Sequence, residues 1–170
     1  SSGVMSCHVW APELHLINGK WYIYFAAGEQ ADVWKIRPWV LRCNGPDPLQ
    51  DSWIECGMLE RASDDEFSFT DFSLDMTIFE LRGKHYCIWA EKISVGKKIS
   101  NLYIAQMASP TSLAVPQMLL SSPSYDWERH GFWVNEGPSV LQACGKVFVS
   151  FSASDTSAAY CMGMMWMNEA

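Results

Sequence analysis

The sequence predicts an all-β chain assembled from β-propeller blades, and three observations carry that expectation. A Gly-Lys turn followed by an aromatic residue recurs at Gly19-Lys20-Trp21-Tyr22, Gly83-Lys84-His85-Tyr86 and Gly145-Lys146-Val147-Phe148, so the turns stand 64 and 62 residues apart. A nearly constant interval in the tens of residues marks a repeat architecture. Each turn also lies between two β-prone runs, the pattern of a tight hairpin. Further short apolar runs follow each hairpin, with no helical period between them, and about four antiparallel strands per round is the make-up of a propeller blade. A single β-sandwich would explain the hairpins but not the interval.

Taken in order, the first round predicts strands over residues 9–17 and 21–28, joined by Asn18-Gly19-Lys20. Aromatic and β-branched residues on both faces of the second strand suit burial on both sides. Residues 31–37 lead through Pro38 into a third strand over 39–43. Asn44-Gly45-Pro46-Asp47-Pro48 is a turn by composition, and a fourth strand follows over 53–58. The second round predicts strands over 73–81, 85–90, 102–107 and 116–120, and the third over 136–141, 147–153 and 160–166. Met162, Met164, Met165 and Met167 read as strand residues filling gaps in a core.

Composition narrows the function classes. A chain of 170 residues accommodates one packed domain, and 49% hydrophobic against 18% charged residues excludes wholesale disorder. Twelve Lys and Arg against 19 Asp and Glu leave a net charge of −7, which argues against a nucleic-acid partner. No apolar run approaches the ~20 residues of a helical membrane span. Ser1-Ser2-Gly3 carries no signal peptide, and the sequence leaves the compartment open. Six cysteines form no C-x-x-C pair, so they read as buried hydrophobes, with a Cys43–Cys56 bridge across a hairpin as the less favoured alternative. His8, His15, His85 and His130 lack metal-ligand spacing, and no metal site is expected from them. Nine Trp exceed the needs of an ordinary core and suit stacking on sugar rings.

The chemistry centres on Phe132-Trp133-Val134-Asn135-Glu136-Gly137-Pro138. A carboxyl group among these apolar residues loses hydration when charged, so its pKa rises and it can hold a proton near neutral pH, as a general acid must. The plainer reading is a solvated Glu136, or one paired with Arg129. Each round carries an acidic residue ahead of its turn, at Glu13, Asp75 and Glu136. In a propeller the first strand of each blade lines the central channel, so these carboxylates are expected to converge at its mouth. Like charges held close push at least one pKa up. Paired carboxylates around a bound sugar are the usual apparatus of glycoside hydrolysis.

The segments Trp10-Ala11-Pro12-Glu13, Ser73-Leu74-Asp75 and Asn135-Glu136-Gly137-Pro138, in this order and each followed by a Gly-Lys hairpin, resemble glycoside hydrolase family 43. That family consists of five-bladed β-propeller enzymes acting on arabinose- and xylose-containing polysaccharides, and the resemblance runs from residue 9 to residue 166. It implies that Glu136 is the general acid and that Asp75 orients it and tunes its pKa. It places Trp10 and Glu13 in a second-blade motif that shapes the substrate pocket, Glu13 in a structural or secondary role. Phe132 and Trp133 become pocket walls, with core packing as the equal alternative. The implied partner is an arabinose- or xylose-containing oligo- or polysaccharide and the implied location is extracellular. A structural channel ion such as calcium belongs to the same expectation, without assignable ligands here.

One departure from the family pattern shapes the domain reading. The family's general base is an Asp on the first strand of the first blade, ahead of the Trp-Ala-Pro-Glu motif. Only nine residues precede Trp10 and none is Asp. Five blades at the observed interval need about 310 residues. Residues 1–170 are therefore expected to form a partial catalytic domain that lacks the first and last blades, with exposed blade edges prone to association and catalysis impaired in isolation. Asp32, Asp71 and Asp126 are substitutes for the base that nothing places opposite Glu136. The leading expectation is an inverting, exo-acting α-L-arabinofuranosidase, arabinose being preferred to xylose on the likeness around residues 64–71 and 125–128. A carbohydrate-binding propeller without catalysis and a protein-binding scaffold are the alternatives.

Overall fold

The computed structural model describes residues 4–93 and 99–169. Nearly every regular element in it is a strand. The first unit is an antiparallel meander of β1 (Cys7–Ile17), β2 (Lys20–Glu29), β3 (Asp32–Cys43) and β4 (Trp53–Met58), in that spatial order. The second comprises β5 (Ser73–Leu81), β6 (Lys84–Lys92) and β7 (Ile99–Ser109), with the short β8 (Ser112–Leu113) and β9 (Met118–Ser121) both paired to β7. A single 3₁₀ turn (Asp126–Glu128) precedes the third unit, β10 (Trp133–Ala143), β11 (Lys146–Ala153) and β12 (Cys161–Asn168). Two parallel pairs, Trp133 with Ile99 and Val134 with Ser100, join the second and third units edge to edge.

The predicted strands all form, and one of them changes in extent. Residues 31–37 and 39–43 make one strand, because Pro38 sits in the ladder opposite Ala26 and gives up only its missing donor. Its carbonyl still accepts the Leu59 N–H at 2.9 Å. Among the described residues the third unit contributes the three strands predicted for it, one fewer than the first unit.

The repeat seen in sequence is a repeat of backbone conformation. Asn18-Gly19, Arg82-Gly83 and Cys144-Gly145 all have positive φ at both residues, the two-residue turn whose twist matches a hairpin. A second left-handed position recurs at Ala11, Asp75 and Gly137, with φ of 47°, 55° and 57°. These three positions are also 64 and 62 residues apart, and the ladder register slips at each. Every unit's first strand thus carries a β-bulge at the same place. Bulges re-aim side chains and cluster beside functional sites.

The first strands β1, β5 and β10 pack beside one another, and the core runs continuously between units through Tyr24, Met76, Cys87, Trp89 and Leu102, all completely buried. Tyr24 crosses between units and donates to the Pro110 carbonyl at 2.6 Å. Burial pushes the Tyr24 hydroxyl and the Cys87 thiol pKa well up, so both stay protonated. All six cysteines are free, including Cys43 and Cys56, so the less favoured bridge does not form.

Candidate active site

The bulges decide which side chains meet. Asp75 sits at its bulge, whereas Glu136 directly precedes the bulge residue Gly137. The Gly137 N–H donates to Asp75 Oδ2 at 2.9 Å, from β10 across to β5. The two carboxylates therefore belong to one hollow, although they stand 61 positions apart in the chain. Burial raises the Glu136 pKa to about 7, the nearby Asp75 adds to the rise, and Lys92 opposes it. The Asp75 pKa is also raised, first by burial and then by Glu13, against the Gly137 hydrogen bond. Arg129 is no partner of Glu136; its guanidinium lies 4.6 Å from the Trp133 ring and its Nε donates to the Pro123 carbonyl.

Asp75 and Glu136 line a cavity of about 800 Å³, a size typical of small-ligand sites. Trp10, Trp34 and Phe72 form one wall. His8 stacks on Trp34 at 4.7 Å between ring centroids, and Trp34 stacks on Phe72 at 6.4 Å. Phe132 and Tyr160 add two more rings to the lining. Such faces suit the apolar side of a sugar ring, and the carboxylates suit its hydroxyls. Lys92, also in the lining, holds its ammonium 4.2 Å from the Phe72 ring. Ser100 adds a buried hydroxyl with no protein partner among the described residues.

Two expected site residues stand outside this lining. Trp133 faces away, because side chains alternate along a strand and Val134 and Glu136 take the cavity side. Glu13 is displaced because Ala11, not Glu13, occupies the position equivalent to Asp75. Its Oε2 accepts from His15 Nε2 at 2.9 Å, and its charge still bears on Asp75. Trp10 and Phe132 line the cavity.

The sequence reading missed Trp34, Phe72, Lys92, Ser100, Asp155 and Tyr160. Asp155 replaces Glu13 as the third carboxylate of the lining, and its Oδ1 accepts the Ser157 N–H at 3.0 Å. The signal for it lay in its place just past the end of β11, whose Ser152 and Ala153 pair with Glu136 and Asn135. Asp32, Asp71 and Asp126 are absent from the lining. Among the described residues no group of three or more His, Cys, Asp or Glu is arranged to hold a metal ion.

The sequence profile of glycosyl hydrolases family 43 matches residues 1–170. An extracellular exo-α-(1→5)-L-arabinofuranosidase of Streptomyces chartreusis is 46% identical over 163 residues, which are 96% of this chain and 48% of that enzyme. The α-L-arabinofuranosidase 43 of Humicola insolens is 43% identical over 96% of this chain and 33% of its own length. The crystal structure of an α-L-arabinofuranosidase from Lactobacillus brevis superposes with a TM-score of 0.83 at 43% identity, covering 95% of this chain and 50% of that one. The chain thus spans between a third and a half of the relatives it matches. By its profile match, its identity to these enzymes and its propeller geometry, the chain belongs to glycosyl hydrolase family 43.

Proposed function

We propose that this chain carries the proton-donating half of an arabinofuranosidase active site, and that the full-length protein removes terminal α-L-arabinofuranosyl residues from arabinose-containing polysaccharides. The carrying observation is the hydrogen bond from Gly137 N–H to Asp75 beside a Glu136 whose pKa is raised to about 7. A carboxyl group with that pKa is still half protonated at neutrality. It can deliver its proton to the departing glycosidic oxygen, as catalysis by paired carboxylates requires. Asp75 orients the acid through the backbone of the next residue and raises its proton affinity through space. Trp10, Trp34 and Phe72 would support the sugar face. The carboxylate that activates water for inversion is not assigned to any residue of this chain.

The preference for arabinose over xylose is supported by relatives whose names state arabinofuranosidase activity, two of them also stated to be extracellular. Export of this protein is part of the same proposal. The test is turnover of an α-(1→5)-linked arabino-oligosaccharide by the full-length protein, with release of single arabinose units and loss of at least ~100-fold on Glu136→Gln. Binding of the oligosaccharide without turnover in the wild type would refute the proposal and favour a carbohydrate-binding propeller.

A further inference from the structure

The acid is clamped on the side away from the cavity as well as within it. Asn135, the residue before Glu136, is 0% exposed, and Glu128 in the 3₁₀ turn is 2% exposed. Asn135 Nδ2 donates to Glu128 Oε1 at 3.1 Å and to the Val134 carbonyl at 3.1 Å. Its Oδ1 accepts from Ser121 Oγ at 3.0 Å. Glu128 Oε2 accepts the N–H groups of Ser124 and Tyr125 at 2.6 and 2.7 Å. One buried carboxylate and one buried amide thus fasten three pieces of chain together: the end of β9, the 3₁₀ turn, and β10 one residue before the acid.

An apolar pair would fill this space without the desolvation that a buried carboxylate incurs. What the polar pair supplies is geometry. In a strand a residue fixed on one face fixes its neighbour on the other, and a slip of one residue would turn Glu136 out of the cavity. On the far side of Glu136 the chain is fixed again, by Gly137 N–H on Asp75 and by Ser152 Oγ donating to the Glu136 carbonyl at 3.1 Å. The bulge between Glu136 and Ser139 would otherwise be the softest point of the ladder.

We infer that Glu128 and Asn135 are positioning residues for the proton donor, holding Glu136 at the depth from which it reaches the leaving oxygen. The inference rests on the reading of Glu136 as general acid. Its mark is a dependence on the leaving group. A sugar alkoxide leaves only when protonated, whereas an activated phenolate leaves unaided, so a misplaced acid slows the first reaction and spares the second. A loss of fold would slow both.

The experiment compares an α-(1→5)-linked arabinobiose with a nitrophenyl α-L-arabinofuranoside, in the full-length protein, for Asn135→Ala, Glu128→Ala and Glu128→Gln. For the two alanine variants kcat on the disaccharide should fall on the order of 100-fold, the scale of a misplacement near 1 Å, with KM little changed. On the nitrophenyl substrate kcat should fall less than about 5-fold. Glu128→Gln should recover part of the lost disaccharide rate: its oxygen stays on the Ser124 and Tyr125 N–H groups and its amide faces Asn135, which turns its oxygen to meet it at the expense of the bond to the Val134 carbonyl. Ser121→Ala removes a single tie, and it serves if an alanine variant fails to fold. A loss of about 5-fold, confined to the disaccharide, is expected there. Equal losses on both substrates, or no loss in folded variants, would overturn the inference while leaving the proposed function intact. A wild type inactive on both substrates would overturn the two together.

Discussion

Replacing Glu136 by Gln should make the protein more stable at pH 8 while abolishing its activity, and the size of the gain follows from the site. The folded-state pKa of about 7 lies above the ordinary 4.5. Below pH 4.5 the carboxyl is protonated folded and unfolded, and it contributes nothing to the pH dependence. Between 4.5 and 7 the unfolded chain sheds this proton and the folded chain keeps it, so stability falls as pH rises. The rise from 4.5 to about 7, at about 1.36 kcal/mol for each tenfold change in proton affinity, corresponds to roughly 3 kcal/mol. Partial solvent access trims that to about 2 kcal/mol. Gln has the same shape and no charge to desolvate. Thermal unfolding of wild type and variant from pH 4 to pH 8 should give curves that meet at pH 4 and separate by that amount at pH 8. Curves separated by a constant amount across this range would refute the argument that desolvation holds the proton on Glu136.

Three further outcomes follow from the same geometry. Asp75→Asn can keep an acceptor for the Gly137 N–H but removes the charge that helps raise the Glu136 pKa, so the high-pH limb of the rate profile should move to lower pH; an unmoved limb would show that Asp75 is not electrostatically coupled to the acid. Ser100→Ala removes a buried hydroxyl that has no partner among the described residues and should stabilise the protein by about 1 kcal/mol in thermal unfolding with KM unchanged; a loss of stability would show that the hydroxyl is hydrogen-bonded. Gly131→Ala should lower activity and destabilise the protein by about 1–3 kcal/mol, measured by kcat/KM and thermal unfolding, because φ is +69° there and an added Cβ would stand 1.8 Å from Asp155 Oδ2 in the cavity lining.

Much of the fold was legible because it is periodic. The turns at Gly19, Gly83 and Gly145 need positive φ, so glycine marks them in sequence, and the aromatic strand after each turn announces the hairpin. The pair Asp75 and Glu136 was legible for a related reason, since residues at matching points of successive repeats converge on one axis. The same logic failed at Glu13. Counting acids ahead of each turn ignored the bulge at Ala11, which shifts the register and gives the matching place to an alanine. Trp133 failed through alternation, for neither its side of the strand nor its pairing with Arg129 can be counted from the motif.

By itself the sequence determined the strand pattern and the repeat, and it set Asp75 and Glu136 near matching points of successive units, because turn chemistry and hydrophobic alternation are local and each residue carries its own share of them. Only the tertiary structure decided that Trp34, Phe72, Lys92, Ser100 and Asp155 share their hollow, and that Glu128 reaches Asn135 behind the acid. Those meetings depend on how one unit's edge lies against the next. That packing is set by many small contacts between residues far apart in the chain, and no short motif records it.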